Sequence, residues 1–241
     1  MEKVTILIPV HNIRKRGFKR VLYSVYSLLE QKEYIEEIVI MDSSCVSDFN
    51  ELAHLLTNLD VRHVHIPQHS FNKPFLLNEG IKRAKSKYVM CTDADYLFKS
   101  DFLKYCEFAR DEEVLIHKKV NMLPNMKHSL SAIKKWRYPK SEYNIWGTLA
   151  NGACQYATKD FFINNPYPKE MDGFSAMDNI ITYMAYNKGM SIHWLAESEI
   201  LHQHHPIVNK MAGSNREKFD RNQKVLNDYI NDNNLPCLLW K

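Results

Sequence analysis

The sequence predicts an α/β unit with a mostly parallel central sheet, and two observations carry this prediction. Short apolar segments alternate with amphipathic segments through the first hundred residues. A polar cluster stands directly after three of the apolar segments. Strands separated by helical crossovers form a parallel sheet, whose ligand crevice lies at the carboxyl ends of the strands. We therefore expect the functional residues to follow the strands.

The apolar and amphipathic segments define the expected elements. Strands are predicted at Val4–Val10, Ile38–Met41, Val61–Ile66 and Tyr88–Thr92, with helices at about 17–31, 48–57 and 74–85. Later the pattern loosens, and it predicts helices near 100–109, 126–137 and 176–187, a strand at Ala153–Thr158 and a pair of strands within 190–204. The first half is thus a βαβαβαβ unit, and the second half is expected to add a smaller sheet.

No Gly/Ser-rich linker or internal repeat divides the chain, and the sequence contains only seven glycines. We therefore predict two halves packed as one unit, residues 1–97 and 98–205, and a polar tail at 206–241 that wraps back on them. A hydrophobic content of 45% in 241 residues is enough for a substantial core.

Charge and cysteine content restrict the functional classes only weakly. The formal charge of +4 leaves nucleotide phosphates, acidic glycans, membrane surfaces and nucleic acid open as partners. The five cysteines form no Cys-x-x-Cys pair, which predicts free thiols in a reducing compartment. The chain opens on a strand-like segment without a signal-peptide pattern, and no apolar run reaches about 20 residues. We expect a cytoplasmic protein without a transmembrane segment, and peripheral membrane association stays open.

The segment Asp93-Ala94-Asp95 follows the fourth predicted strand. Residues two apart on an extended segment point to the same side, so both carboxylates face one site. Two hard oxygen ligands suit Mn²⁺ or Mg²⁺, and such an ion neutralises a diphosphate. The alternative is a solvated turn, where Asp is common. The position after a buried strand favours the metal site.

Further carboxylates stand at element boundaries. Asp42 follows the second strand, where it accepts hydrogen bonds from a base or ribose, or else forms an Asx-turn or helix cap. Asp178 opens the helix predicted at 176–187, where it acts as a general base or complements the helix dipole. Asp172 is the second choice for the base, because it is offset from the helix start.

A histidine cluster, His202-Gln-His204-His205, follows an apolar run. Cys or Glu partners at a zinc spacing such as His-Glu-x-x-His are missing from the sequence around it, which argues against a structural zinc site. A neutral imidazole from one histidine of this cluster, joining the two Asp residues around Mn²⁺, fits better.

Together these motifs resemble the GT-A glycosyltransferases of family 2. The segments Thr5–Asn12 and Met41–Ser44 are similar to the nucleotide-binding signatures of that family. The segment Phe71–Gly80, followed by Tyr88–Asp95, resembles a more specific stretch, "Asn-Lys/Arg … Leu-Asn-x-Gly … Asp-x-Asp". This stretch is shared by bacterial chondroitin polymerases, polypeptide N-acetylgalactosaminyltransferases and β4-galactosyltransferases, whose C-terminal motifs the chain also resembles.

The likeness continues down the chain in the same order. Asn151-Gly-Ala153 with Lys159-Asp-Phe161 resembles the turn and helix that shape the family's sugar pocket. The segment Gly173–Asp178 stands in the place of the family's "Gly-Trp-Gly-Gly-Glu-Asp" motif. Leu201-His-Gln203 resembles the strand whose histidine completes the metal site.

The resemblance implies a GT-A (Rossmann-like) fold, with nucleotide-sugar binding in residues 1–97 and a smaller acceptor-side sheet in residues 98–205. The implied nucleotide and cofactor contacts are Pro9, His11, Asn12, Asp42, Asn72, Lys73, Asn78, Asp93 and Ala94. The implied metal ligands are Asp93, Asp95 and His202, and the implied catalytic base is Asp178. The implied contacts to the donor sugar or acceptor are Asn151, Gly152, Gly173, Phe174 and Met177.

The chain departs from the family at two places. Met177 stands where the family usually carries Glu, and Ser175-Ala176 replaces two glycines. The loss of that carboxylate removes a usual contact to the substrates, so an atypical substrate is expected. The base itself is retained.

The resemblance implies an inverting, Mn²⁺- or Mg²⁺-dependent transfer of a hexose or N-acetylhexosamine from a UDP-sugar to a glycan hydroxyl. A hydroxylated DNA base or a protein side chain is the alternative acceptor. The basic and aromatic stretch Lys134–Tyr138 lines an acceptor groove, or it is a helix surface with a buried Trp136. Trp146 and Trp194 have the same two readings.

Three other functions compete with glycosyl transfer. A sugar-nucleotide pyrophosphorylase needs a glycine-rich phosphate loop after the first strand, and Pro9–Asn12 is not one. A non-catalytic nucleotide-sugar or glycan-binding protein of the same fold stays open because of Met177. A nucleic-acid-binding module gains little from a charge of +4.

Overall fold

The computed structural model describes residues 2–13, 15–45, 61–109, 111–117, 120–122, 143–144, 152–172, 176–195, 199–203, 214–236 and 238. Its strands are β1 (Val4–Val10), β2 (Ile35–Asp42), β3 (Val61–His65), β4 (Tyr88–Cys91), β5 (Tyr96–Phe98), β6 (Glu113–His117), β7 (Val120–Met122), β8 (Tyr143–Asn144), β9 (Gln155–Thr158), β10 (Ser191–Leu195) and β11 (Ile200–His202). Its helices are α1 (Lys15–Leu29), α2 (Lys73–Arg83), α3 (Phe102–Cys106), α4 (Lys159–Asn164), α5 (Met177–Asn187) and α6 (Ser214–Asp232), with a 3₁₀ turn at Lys32–Tyr34.

The central sheet has, over the described ranges, seven strands in the order β10-β6-β9-β4-β1-β2-β3. Strand β9 runs antiparallel to β4 and β6, and the other neighbouring strands pair in parallel. In the β1/β2 register Val10 lies opposite Asp42, so the carboxyl ends of these two strands meet at one edge. The mostly parallel α/β sheet predicted from the sequence is confirmed.

Strands β5, β11, β7 and β8 form a second, smaller sheet in that order. The pair of strands predicted within 190–204 is corrected by this arrangement. Both strands exist as β10 and β11, but β10 pairs with β6 in the central sheet and β11 pairs with β5 in the small one. Strand β11 belongs to the small sheet because it pairs antiparallel with β5, the strand that follows Asp95.

Helices cover both faces of the central sheet. The β1 strand is buried along its whole length, with Ile6 and Ile8 in one apolar cluster and Leu7 in the other. Helix α1 packs into the first cluster through residues such as Val25, and α2 packs into the second through residues such as Leu76. Burying an aliphatic side chain of this size contributes about 1.5–3 kcal/mol. This packing fixes the strand ends that carry the polar clusters.

The C-terminal helix packs against the rest of the protein, while the predicted division of the chain at residue 206 stays a prediction. This helix, α6, packs on α5, and Leu226 of α6 lies in the second apolar cluster. The buried amide of Asn222 accepts a hydrogen bond from the Asp172 backbone N–H at 3.0 Å and donates to the Asp172 carbonyl at 2.9 Å. Lys218 adds an ion pair to the Asp172 carboxylate at 2.9 Å. The tail therefore anchors the loop that leads to α5.

Two predicted helices, near 48–57 and 126–137, lie outside the described residues. Within the described ranges, helices long and apolar enough to cross a membrane are absent.

We predict that Asn222→Ala lowers the free energy of unfolding by about 2 kcal/mol, because it leaves the part-buried N–H and carbonyl of Asp172 without their partner. Urea denaturation followed by circular dichroism measures the change. The matched control is Asn231→Ala, which alters an exposed position of the same helix. Equal stability of the two variants would contradict the anchoring role.

Candidate functional site

A cluster of charged side chains stands at the carboxyl edge of the central sheet. The ammonium group of Lys73 lies 2.7 Å from Asp93 Oδ1 and 3.0 Å from Asp178 Oδ1. Asp93 follows β4, Lys73 begins α2 and Asp178 lies in the first turn of α5. Three elements far apart in the sequence therefore bring together two carboxylates and one buried cation.

The charges of the cluster shift one another's protonation. Burial alone would lower the pKa of Lys73, but the carboxylates of Asp178 and Asp93 outweigh it and raise that pKa above its usual value. Burial raises the pKa of Asp93; Lys73 opposes this rise, while the charges of Asp178 and Asp95 add to it. The Asp93 side chain is still 35% exposed, so a ligand can reach it. Perturbed groups at such an edge are typical of a functional site.

Gly152 lies directly against the side chain of Asp93. Its carbonyl accepts a hydrogen bond from the Asp93 backbone N–H at 2.8 Å. A Cβ atom on Gly152 would lie 1.9 Å from Asp93 Oδ2, far inside van der Waals contact. Only glycine lets the Asp93 carboxylate occupy this position.

Two residues that the sequence analysis missed complete the surroundings of Asp178. Gln155 of β9 donates from Nε2 to Asp178 Oδ1 at 2.8 Å. The hydroxyl of Tyr167 donates in turn to Gln155 Oε1. A polar residue inside the otherwise apolar segment around β9 was the available signal, because a buried amide needs hydrogen-bond partners.

The start of α5 differs from what the resemblance implied. Met177 was expected to contact the donor sugar or acceptor, but its side chain is 2% exposed and packs in the second apolar cluster. An apolar side chain gains more from the core than a carboxylate would. The preceding residue, Ala176, has φ 61°, in the left-handed region that favours glycine. Ala176 thus adopts a conformation that favours glycine at a position where the family motif carries glycine.

Asp95 and His202 face each other across the small sheet. The antiparallel β5/β11 pairing places His202 opposite Tyr96, next to Asp95 in sequence. His202 Nε2 lies 3.6 Å from Asp95 Oδ2, too far for a hydrogen bond but close to the roughly 3 Å that separates two neighbouring ligands of one octahedral ion. The donors, an imidazole and a carboxylate, suit Mn²⁺.

Asp93 is separate from the pair of Asp95 and His202, because its Oδ1 is bound to Lys73. Among the described residues, no three His, Cys, Asp or Glu side chains are close enough together to hold a metal ion. The binding of a cation by Asp95 and His202, with Asp93 as a third ligand, therefore stays a prediction.

The ends of β1 and β2 form the part of the edge expected to bind a nucleotide. His11 Nδ1 lies 3.1 Å from the Ser43 carbonyl and 3.0 Å from its hydroxyl, and its ring stacks with Phe71 at a centroid distance of 6.1 Å. The Asn12 backbone N–H donates to Ser44 Oγ at 2.7 Å, with Asn12 at φ 46°. These contacts join the two loops and leave the Asn12 side chain exposed. Pro9 is part of β1 itself.

Asp42 is engaged inside the protein. Its Oδ1 accepts a hydrogen bond from the Ser44 backbone N–H at 2.8 Å, which is the Asx-turn considered above, and its Oδ2 lies 3.1 Å from His63 Nε2. Burial alone would raise the pKa of Asp42, but the hydrogen bonds from His63 and Ser44 outweigh it and lower the pKa to about 2. The side chain is 2% exposed, so its contact with a base or ribose stays a prediction.

Two of the three asparagines assigned to the nucleotide, Asn72 and Asn78, make structural contacts here. The side chain of Asn72 caps α2 by accepting from the Phe75 backbone N–H at 2.9 Å. Asn78 donates to the Tyr167 carbonyl at 2.9 Å and accepts from the Tyr167 backbone N–H at 3.0 Å. Ala94 is partly buried against the first apolar cluster. Contacts of these residues with a nucleotide are not tested by this arrangement.

Asp172, the second choice for the base, serves the docking of α6. Its carboxylate pairs with Lys218 at 2.9 Å and lies 3.6 Å from Arg221. Other expected contacts lie outside the described residues: Asn151, Gly173, Phe174, His204, His205, Lys134–Tyr138 and Trp146. Trp194 lies in β10 and is 38% exposed, so its side chain is not a buried core residue.

Comparison with known proteins finds a family model that matches the first half of the sequence and solved structures with a similar fold. Residues 5–116 match the model of the family described as glycosyl transferase family 2. A comparison with curated protein sequences gives no significant match.

Several solved structures are similar. S. aureus TarS 1–349 in complex with UDP-GlcNAc superposes with a TM-score of 0.69 at 20% identity, over 97% of this chain and 68% of that one. GalNAc-T7 with UDP, GalNAc and Mn²⁺ gives 0.63 at 15% identity, over 99% of this chain and 56% of that one. Longer S. aureus TarS gives 0.64 at 19% identity, and this chain spans 40% of its length. At these identities the likeness establishes the GT-A-like fold.

We predict that Asp42→Asn lowers the free energy of unfolding at pH 7 by up to about 2 kcal/mol, because the folded protein holds this carboxylate ionised with a pKa of about 2. The unfolded pKa is about 3.9, so the stabilisation is complete above that pH and is lost as the pH falls towards 2. Urea denaturation at pH 7, 4 and 3 measures it. The exposed Glu36→Gln in β2 is the control, and a difference that persists unchanged at pH 3 would contradict the assignment.

Proposed function

We propose that the chain, whose residues 5–116 match glycosyl transferase family 2, is a glycosyltransferase of that family and transfers a hexose or an N-acetylhexosamine from a UDP-sugar to a hydroxyl group of a glycan. The observation that carries the proposal is the cluster in which Lys73 joins Asp93 to Asp178. It stands at the carboxyl edge of a parallel sheet, where α/β proteins bind nucleotides. The transfer inverts the configuration of the anomeric carbon.

Asp178 is the proposed general base. Its side chain is 23% exposed, so an acceptor hydroxyl can reach the carboxylate. The acceptor oxygen forms a bond to the anomeric carbon while the bond from that carbon to the phosphate oxygen breaks. The proton of the hydroxyl passes to Asp178, and UDP leaves with the electron pair. A single displacement of this kind accounts for inversion.

Positive charge at the diphosphate comes from two sources in the proposal. Lys73 is a fixed ammonium group inside the cluster. Asp95 and His202, with Asp93, are the residues that would hold Mn²⁺ or Mg²⁺, which suits the 3.6 Å separation of the first two. When bound, such an ion neutralises charge on the departing UDP. We therefore assign the contacts with the phosphates of UDP to the carboxyl edge of the central sheet, where Asp93 lies.

The donor is proposed to be a UDP-sugar because of the nucleotide edge and the neighbours. The ring of His11 stacks with Phe71 beside the Ser43 and Ser44 loop, which provides an aromatic surface for a base. The structural neighbours were solved with UDP-GlcNAc or with UDP, GalNAc and Mn²⁺. Both neighbours favour an N-acetylhexosamine among the candidate sugars.

A binding-only role is the second candidate, and Met177 is the observation that favours it. This residue packs in the core where the family usually carries a Glu, so one expected substrate contact is missing. UDP binding without transfer to any acceptor would support this role. Steep salt-dependent retention on DNA would instead indicate a nucleic-acid acceptor.

We predict donor-selective UDP release that needs Mn²⁺ and is lost in Asp95→Ala. The assay measures released UDP across a panel of UDP-sugars and glycan acceptors, with and without the ion. Asp178→Asn is expected to lower kcat by about 1000-fold, because the base that accepts the proton is gone. UDP release that is equal with and without metal would contradict the cation assignment.

The control for Asp178→Asn is Asp172→Asn, which removes the second carboxylate considered as the base. Asp172 is held by Lys218 and Arg221, so its variant should keep the transfer rate within about threefold. A reversed outcome, with Asp172→Asn inactive at unchanged stability, would assign the base to Asp172.

We predict that Gly152→Ala lowers the rate of UDP release by about 100-fold while the protein stays folded, because the new methyl group must displace the Asp93 carboxylate. The control is Gly189→Ala, a glycine at φ 68° with open space around it and outside the cluster. That variant should lose some stability and keep its rate. Wild-type activity of Gly152→Ala would show that the position of Asp93 does not matter for transfer.

A further inference from the structure

A chain of hydrogen bonds runs from helix α2 through the loop after α4 to Asp178. The Asn78 amide holds the backbone of Tyr167 through two bonds of 2.9 and 3.0 Å. The Tyr167 hydroxyl donates to Gln155 Oε1, and Gln155 Nε2 donates to Asp178 Oδ1 at 2.8 Å. Tyr167 and Gln155 are each 1% exposed. The chain therefore passes through the protein interior and ends on the proposed base.

The chemistry of the four groups fixes the direction of every bond. An ionised carboxylate only accepts hydrogen bonds, so the Gln155 amide must turn its nitrogen to Asp178. Its oxygen then faces Tyr167, whose hydroxyl must donate. The Tyr167 hydroxyl thus stabilises the amide orientation that the Asp178 carboxylate requires.

The two donors to Asp178 bind the same oxygen. Both Lys73 Nζ and Gln155 Nε2 lie on Oδ1, at 3.0 and 2.8 Å. In the described part of the chain, the hydrogen bonds accepted by the Asp178 carboxylate thus converge on Oδ1. Oδ2 remains for the hydroxyl of the acceptor.

We propose that Gln155 and Tyr167 are positioning residues for Asp178, which hold its Oδ1 so that Oδ2 takes the proton of the acceptor. The proposal rests on the function proposed above and adds two residues that no sequence motif contained. An enzyme whose base is misplaced has a lower kcat but keeps its affinity for the donor. The role therefore differs from that of a residue that merely fills the core.

The first test is Tyr167→Phe, which removes only the hydroxyl and retains the ring that stacks on Phe162. We expect kcat to fall about 10-fold while KM for the UDP-sugar and Kd for UDP stay within about twofold. Tyr156→Phe is the matched control, since Tyr156 is a buried tyrosine next to Gln155 in β9 that packs on Tyr88. It should keep the wild-type kcat.

The second test is Gln155→Leu, alone and with Tyr167→Phe. We expect a loss in kcat of about 100-fold for Gln155→Leu and no further loss in the double variant, because Tyr167 acts through Gln155. In an Asp178→Asn background neither substitution should lower the residual rate further. Circular dichroism and UDP titration confirm that each variant is folded and binds.

The outcomes separate the two proposals. An inactive Asp178→Asn with wild-type kcat in Tyr167→Phe would overturn the positioning role alone. A fully active Asp178→Asn would overturn the assigned base, and the positioning role with it. Additive losses of Gln155→Leu and Tyr167→Phe, or a rise in KM that accounts for the whole effect, would also overturn it.

Discussion

A buried ammonium group between two carboxylates is the interaction on which the rest of this molecule depends. Taking a lysine out of water costs several kcal/mol unless anions compensate it, so Lys73 needs both Asp93 and Asp178 close by. One anion follows a central strand and the other opens α5, while the lysine opens α2. The sheet and its two helices must therefore meet at one point. The same requirement explains two neighbouring residues. Gly152 leaves space for the Asp93 carboxylate, and the Gln155 amide donates a hydrogen bond to the Asp178 carboxylate.

Much of this framework can be predicted from sequence because it depends on local patterns. The continuous apolar run of β1 and the helical spacing of α1 and α2 each follow from burial of a face. Asp93 and Asp178 could be selected because they stand where such patterns end. The partners of Asp178 were missed, because the polar Gln155 in the apolar segment around β9 signals a buried hydrogen bond but not which group it binds, which depends on tertiary contacts. The separation of β10 and β11 into different sheets was missed for the same reason, because pairing between distant strands leaves no local signal.

Family likeness located motifs better than it located individual contacts. Asn78 belongs to a motif associated with the nucleotide, yet here its amide binds the backbone of Tyr167. Met177 stands in a substrate-contacting motif, yet it packs in the core. In both cases the motif keeps its position in the fold, but the contacts of the side chain are set by the residues packed around it. Ala176 illustrates the converse, because its backbone has a conformation suited to glycine although the residue is alanine. Such positions cost about 1–2 kcal/mol and persist where the surrounding structure imposes them.

Strand β9 is the antiparallel member of an otherwise parallel sheet, and it sits between β4 and β6. Residues from the second half of the chain thus complete the hydrogen-bond ladder of a strand from the first. A fragment ending near residue 97 would leave β4 with an open, apolar edge, which is a template for aggregation. The two halves of the sequence consequently share one sheet and do not form separate folding units. The order of the strands therefore favours cooperative unfolding as one unit and poor solubility of an isolated N-terminal fragment.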